Sequence, residues 1–287
     1  PPGGLPLTFF GARLPVFVQS LFYQIPLTAF LVVAATRRMM SAQAMFFSKS
    51  SAIAFLVTIA TLSLGGVIEH PQLKAEWLVP MLAYSEFLVA VLMILAISPD
   101  QSVYTGGARR AKRMGMGRPP LWQDASSNRA AVLVMASLVM ATVQVIHTLV
   151  PALNIDVRFW RVAGVAAATI ACFGFATQYY SLKYRRRGKL ALMMFVFLFW
   201  LLPLFVGFIL GAVLEEEEMA FYVASLSPFF GIGAGSWTAL IFAGSMAVIF
   251  FVLLTIQERR VWESLTLREI VKADDLLDKT SDENPFL

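Results

Sequence analysis

The chain has 287 residues, of which 58% are hydrophobic, 13% aromatic and only 14% charged. A water-soluble domain of this length carries roughly 25% charged and 45–50% apolar residues, so the apolar surplus excludes a single soluble core and points to a bilayer as the solvent. One cysteine, Cys172, excludes an intramolecular disulfide framework and any CxxC metal or redox site. The net charge of +5 is carried by residues between apolar runs and does not argue for nucleic acid.

The chain opens Pro1-Pro2-Gly3-Gly4 without an initiator Met, a basic n-region or a cleavage site, so an upstream part is expected to be missing. About 20 apolar residues cross a ~30 Å hydrocarbon core as a helix. Seven runs qualify, over residues 14–36, 51–68, 77–97, 130–153, 162–182, 190–214 and 237–256. Their continuous apolar character excludes barrel strands, which alternate, and only internally hydrogen-bonded helices survive in lipid. The expected fold is all-α: a polytopic transmembrane helix bundle of about seven spans over 1–257, followed by a cytoplasmic tail over 258–287.

With alternating spans, 19 of the 23 Lys and Arg residues fall on one side, among them Arg37, Lys49, Arg109 to Arg129, Lys183 to Lys189 and Arg259. By the positive-inside rule that side is the cytoplasm, placing the N-terminus outside and the C-terminus inside the bacterial inner membrane. Pro26 in the first span and Pro203 in the sixth each remove a backbone donor and predict kinks. The fifth span presents Gly164, Ala168 and Ala171 on one face, which predicts a central, closely packed helix. The sixth, with Phe195, Phe197, Phe199, Trp200, Phe205 and Phe208 around it, is expected to meet lipid.

Two loops stand out. The basic stretch 98–129 carries no strong helix pattern and is long enough to imply docking, with Arg109, Arg110, Lys112, Arg113 and Trp122 as candidate contacts. On the other side, Glu215 to Glu218 lead into an apolar stretch, 219–230, too short to cross; it predicts a re-entrant or interfacial helix before the last span, entered through glutamates that suit a helix N-terminus. The run is a solvated helix start or, alternatively, a calcium ligand set. Gly231-x-Gly-x-Gly lacks the preceding strand and Gly-Lys-Ser/Thr ending of a phosphate loop. In the tail, Thr266-x-x-Glu269 is a capping box that predicts a short amphipathic helix over 267–278.

Glu86 is the only carboxylate inside a predicted span and lies ~13–14 Å past Trp77 at 1.5 Å per residue. Ala83 and Ala90 beside it turn it toward protein. It is a neutral, hydrogen-bonded Glu, a residue lining a substrate or proton path, or a ligand to a cofactor or ion. Gln19, Gln24, Gln144 and Gln178 are the available partners for a polar seam. Gln144 and His147 share a face of the fourth span; a lone intramembrane His cannot supply paired haem ligands, leaving a satisfied interface His or a single pigment, quinone or metal site. A His70–His147–glutamate metal site is a further, remoter option. No catalytic constellation, metal site or resident cofactor is predicted.

The stretch Leu14-Pro15, Tyr23-Gln24-Ile25-Pro26-Leu27 and Arg37-Arg38-Met39 resembles a helix of the ABC-2 type permeases. Ser98-Pro99-Asp100, the Arg-rich stretch, Pro120-Leu121-Trp122-x-Asp124 and Ser127-Asn128-Arg129 resemble them too. Leu226-Ser227-Pro228-Phe229 is similar to the turn such permeases place in their outer re-entrant hairpin. The family's subunits often have six spans and begin in the cytoplasm; seven spans with an external start is a departure.

The resemblance implies a permease moving a hydrophobic or amphipathic substrate outward with a second permease subunit and a separate cytoplasmic ATPase, since this chain holds no Walker A sequence. It implies ATPase contacts on the 109–129 stretch and an outer gate at Pro228, Phe229 and Phe230. The competing expectation is a non-catalytic subunit of a respiratory or photosynthetic membrane complex. A proton-coupled secondary transporter using Glu86 is a third, set back by the lack of an internal repeat.

Overall fold

The computed structural model describes residues 7–9, 12–14, 16–40, 46–67, 75–116, 119–151, 155–184, 187–213 and 215–265. A short hairpin of two three-residue strands comes first: β1 (Leu7–Phe9) pairs antiparallel with β2 (Ala12–Leu14), so the first span begins two residues later than expected, at Val16. All else that is regular among the described residues is helical, and the architecture is an all-α polytopic bundle.

The seven apolar runs are all helical. They are α1 (Val16–Met40), α2 (Lys49–Val67), α3 (Ala75–Ile97), α5 (Arg129–Leu149), α6 (Val157–Lys183), the composite sixth span over 188–212, and α11 (Trp237–Ser264). Six are long and apolar enough to cross a membrane; the second is shorter in its apolar part, Lys49–Gly65. The last helix runs about two turns past the expected end of its span. The predicted tail helix over 267–278 lies outside the described residues.

α6 is the hub: 72% of its apolar window is buried, and it packs against α3, α5, α11 and the first part of the sixth span. Its small residues explain this, because helices in lipid gain nothing from apolar contact alone and hold together through close backbone approach. A Cβ on Gly174 would lie 2.5 Å from Val132 of α5, so the two helices meet where only hydrogen fits. The sixth span is the opposite. Only 17% of it is buried, and Phe197, Phe205 and Phe208 face outward.

Pro203 acts on that sixth span through a change of helix type. α7 (Gly188–Val196) passes into a π-helical turn over Phe197–Leu201, after which α8 (Leu202–Ala212) starts with the proline at its N-terminus. Proline cannot donate to the preceding turn, and the Leu202 amide reaches back five residues to the Phe197 carbonyl. By contrast, α1 continues through Pro26.

The 98–129 stretch differs from expectation: it contains α4 (Gln101–Arg113), which buries Tyr104, Gly107, Ala108 and Ala111 and exposes its arginines. On the opposite end the expected single helix over 219–230 is two, α9 (Glu217–Ser225) and α10 (Pro228–Ala234). α9 runs back down α8, since Gly207 abuts Ala224 and Gly211 abuts Ala220. α10 then climbs to Gly235, whose positive φ of 56° closes the helix and whose missing Cβ makes room for Val162 of α6.

Candidate functional site

The two ends of the bundle differ in charge and are each tied by specific contacts. At one end lie the C-termini of α1, α3, α6 and α11 and the N-termini of α2 and α5, carrying most of the described Lys and Arg. Here Lys49, only 1% exposed, points its ammonium into the 121–127 turn. It donates to the carbonyls of Leu121 (3.0 Å), Gln123 (2.8 Å), Ser126 (3.0 Å) and Ser127 (2.7 Å) and to the Ser126 hydroxyl (2.5 Å). Lys49 is the first residue of α2, two positions before the apolar run expected to start at residue 51. Burial pulls its ammonium down to about 8, opposed by the carboxylates of Asp124 and Glu258, so near neutral pH it is still the charged donor its acceptors require.

Three more contacts join this turn to the spans. Arg37 of α1 pairs with Asp124, Arg129 of α5 with Glu258 of α11, and the Asn128 amide donates to Ser98 Oγ at 2.8 Å. The Lys112 ammonium donates to the Leu265 carbonyl and lies 5.7 Å from the Trp262 ring, so α4 is tied to the end of α11. The motif residues Arg37, Asp124, Asn128 and Arg129 thus take part in one network.

Of the candidate docking residues, Arg109, Arg110, Arg113 and Trp122 are exposed and Lys112 is half-buried. Arg110 and Trp122 line one cleft of about 440 Å³ between α4 and the 119–125 segment. Gly107 permits this, because a Cβ there would meet Ala125 at 2.4 Å.

At mid-bundle the re-entrant pair meets the broken span. The Ser227 hydroxyl, fully buried, donates to the Trp200 carbonyl inside the π turn at 2.5 Å. Trp200 stacks at tilted angles on Phe87 of α3 (5.4 Å) and Phe173 of α6 (5.1 Å) and takes Phe229 edge-on (5.8 Å). Trp200 and Phe87 each lie about midway along their spans, so the turn between α9 and α10 reaches the centre of the bundle. Tyr84 holds the ascending arm: its hydroxyl donates to the Phe229 carbonyl and accepts from the Gly233 amide at 3.1 Å. Of the candidate gate residues, Pro228 is buried, Phe229 sits on Trp200, and Phe230 packs edge-on against Phe221 at 5.5 Å.

The candidate polar path is not assembled. Glu86 is buried between Ala83 and Ala90 as expected, and its neighbour is Thr142 of α5, whose own hydroxyl donates to the Leu138 carbonyl at 3.1 Å. Neither carboxyl oxygen makes a hydrogen bond of good geometry among the described residues, and the Thr142 hydroxyl is the polar group that approaches the carboxyl. Gln144 and His147 lie on exposed faces instead: Gln144 bonds Thr148, and His147 approaches the Trp160 ring at 6.2 Å. Gln24 is exposed and Gln178 is buried toward the Pro99 carbonyl, so no seam of glutamines forms; the Gln19 side chain lies outside the described residues. His70 also lies outside them, and among them no group of three or more His, Cys, Asp or Glu is placed to hold a metal.

Sequence reasoning missed Lys49, Tyr84, the Ser227 hydroxyl and the partner of Arg129. Lys49 carried a signal, as a lysine abutting an apolar run. No protein-family profile, curated protein or solved structure matches the chain.

Proposed function

We propose that this chain is the membrane-embedded permease subunit of an ATP-driven exporter of the ABC-2 type, acting with a second permease subunit and an ATPase supplied by another chain. The observation that carries the reading is the re-entrant pair α9–α10, which enters before the last span, turns at Ser227 beside Trp200 and leaves by the end it entered. The lysine- and arginine-rich end is read as cytoplasmic, which puts the re-entrant pair outside and the C-terminus within the cell.

In this reading the ATPase docks at the Arg110–Trp122 cleft and the exposed face of α4, and nucleotide-driven closure displaces α4 and the 119–128 segment. Lys49 and Arg37 pass that movement to α2 and α1, Asn128 to α3, and the Arg129–Glu258 pair to α5 and α11. The spans then shift around the Trp200 cluster on which the re-entrant turn rests, and Pro228 to Phe230 release a hydrophobic or amphipathic substrate. Bistable repacking of that cluster turns a small shift at one end into opening at the other.

The test is purification of the native particle. An ATPase chain in stoichiometric amount, stimulated by lipid-like substrates and retained less well by Arg110→Ala/Trp122→Ala, supports the proposal. A redox complex without an ATPase overturns it in favour of the accessory-subunit reading. What favours that second reading is α1: only 6% of its apolar window is buried, leaving most of its surface for a neighbour.

A further inference from the structure

An open apolar groove of about 710 Å³ runs between α8 and α9, walled by Leu204, Phe205, Phe208, Phe221 and Phe230. Its floor is the seam where Gly207 and Gly211 meet Ala224 and Ala220. From Leu204 to Gly211 the groove follows α8 for about 10 Å, roughly two-thirds of one leaflet of a ~30 Å core. The single charged residue lining it is Glu217, at the end where α9 begins. Glu215, Glu216 and Glu218 are exposed beside it, and none of the four has an ion-pair partner among the described residues.

The walls do not suit another helix. Helices associate in lipid through small residues or interhelical hydrogen bonds, and the small residues here are already spent against one another, leaving a mouth of four phenyl rings. A flexible hydrocarbon chain fits such walls. The uncompensated carboxylates at the headgroup level call for a cation at the top of that chain.

We propose that the α8–α9 groove is a binding site for an amine-headgroup lipid of the leaflet at the acidic end, one acyl chain lying along Phe205 and Phe208 and the ammonium facing Glu217. This rests on the membrane-spanning architecture and not on the transport reading, and it stands or falls separately.

The experiment reconstitutes the full chain in nanodiscs of phosphatidylglycerol containing a minor fraction of phosphatidylethanolamine, and measures by native mass spectrometry which lipid stays bound on release. Wild type should retain one phosphatidylethanolamine, enriched roughly two- to fivefold over its share, the size of one interfacial ion pair. Glu217→Gln/Glu218→Gln, exposed changes that leave the fold alone, should abolish the enrichment while a lipid is still retained. Leu204→Trp, which narrows the groove, should lose the lipid whatever its headgroup, with an unchanged melting temperature as the control. Retention in proportion to composition, enrichment that survives the glutamine variants, or an empty groove closed by a second copy of the chain each overturns the proposal.

Discussion

A lysine ammonium has three protons, and Lys49 spreads them over five oxygens of a single turn, so removing it takes a donor from the buried carbonyls of Ser126 and Ser127 at once. Hydrogen bonds to charged groups contribute about 1.5–3 kcal/mol and buried unpaired carbonyls cost a comparable amount. Lys49→Met, which keeps the length and loses the charge, should therefore destabilise the protein by ~3 kcal/mol, read as a lowered thermal midpoint in detergent. It should also loosen the 119–128 segment toward protease. Glu86 makes the contrasting case. It is buried without a cation beside it among the described residues, and its polar neighbour is the neutral hydroxyl of Thr142, which also meets the Leu138 carbonyl. An amide N–H serves that setting as well as a carboxylic acid does, so Glu86→Gln should change the melting temperature little, within roughly 0.5 kcal/mol. A large loss would show that the carboxylate is ionised against a partner beyond the described residues.

Elements in lipid are held by shape more than by transfer from water, and this sets the size of packing defects. Gly174→Leu would drive its side chain into Val132 and separate α5 from the hub helix, at a cost of ~1–3 kcal/mol; a thermal melt with tryptophan fluorescence reads it. Ser227→Ala removes the hydrogen bond to the Trp200 carbonyl in the π turn and should cost about 0.5–1.5 kcal/mol. Limited proteolysis should then cut first between α9 and α10. The seven helices were legible, six of them as candidate spans, because about twenty apolar residues in sequence have one solution in a bilayer, which no tertiary contact needs to refine. α4 was not: Gly106 and Gly107 lower its propensity, and the helix forms because Ala125 can approach a glycine closely. The π turn was half legible, since Pro203 announces a break, but the hydrogen bond that the Trp200 carbonyl in that turn accepts comes from a serine 27 residues on. The same holds for Lys49 and Glu86: burial could be inferred from the apolar runs, whereas the partners come from loops and helix faces whose positions the runs do not specify. Gln144 and His147 share a face of their helix, but helical spacing relates them to each other and not to the bundle axis, and the structure turns that face outward.

At the scale of the molecule, an asymmetric body emerges: a basic end knit by Lys49, the Arg37–Asp124 and Arg129–Glu258 pairs and Lys112, and an acidic end that folds a helical hairpin inward to Trp200. The contacts place the two ends apart, and the proposed orientation, with the basic end in the cytoplasm, rests on the sorting of lysine and arginine. Cys172 is buried, so single exposed cysteines can report each end without competition. The decisive measurement is labelling of intact cells with a membrane-impermeant maleimide, comparing Met114→Cys at the end of α4 with Glu218→Cys at the start of α9. Labelling at position 218 alone, with 114 reacting only after the cells are opened, is the predicted result; labelling of 114 from outside would invert the bundle and contradict the proposed docking of an ATPase at its basic end.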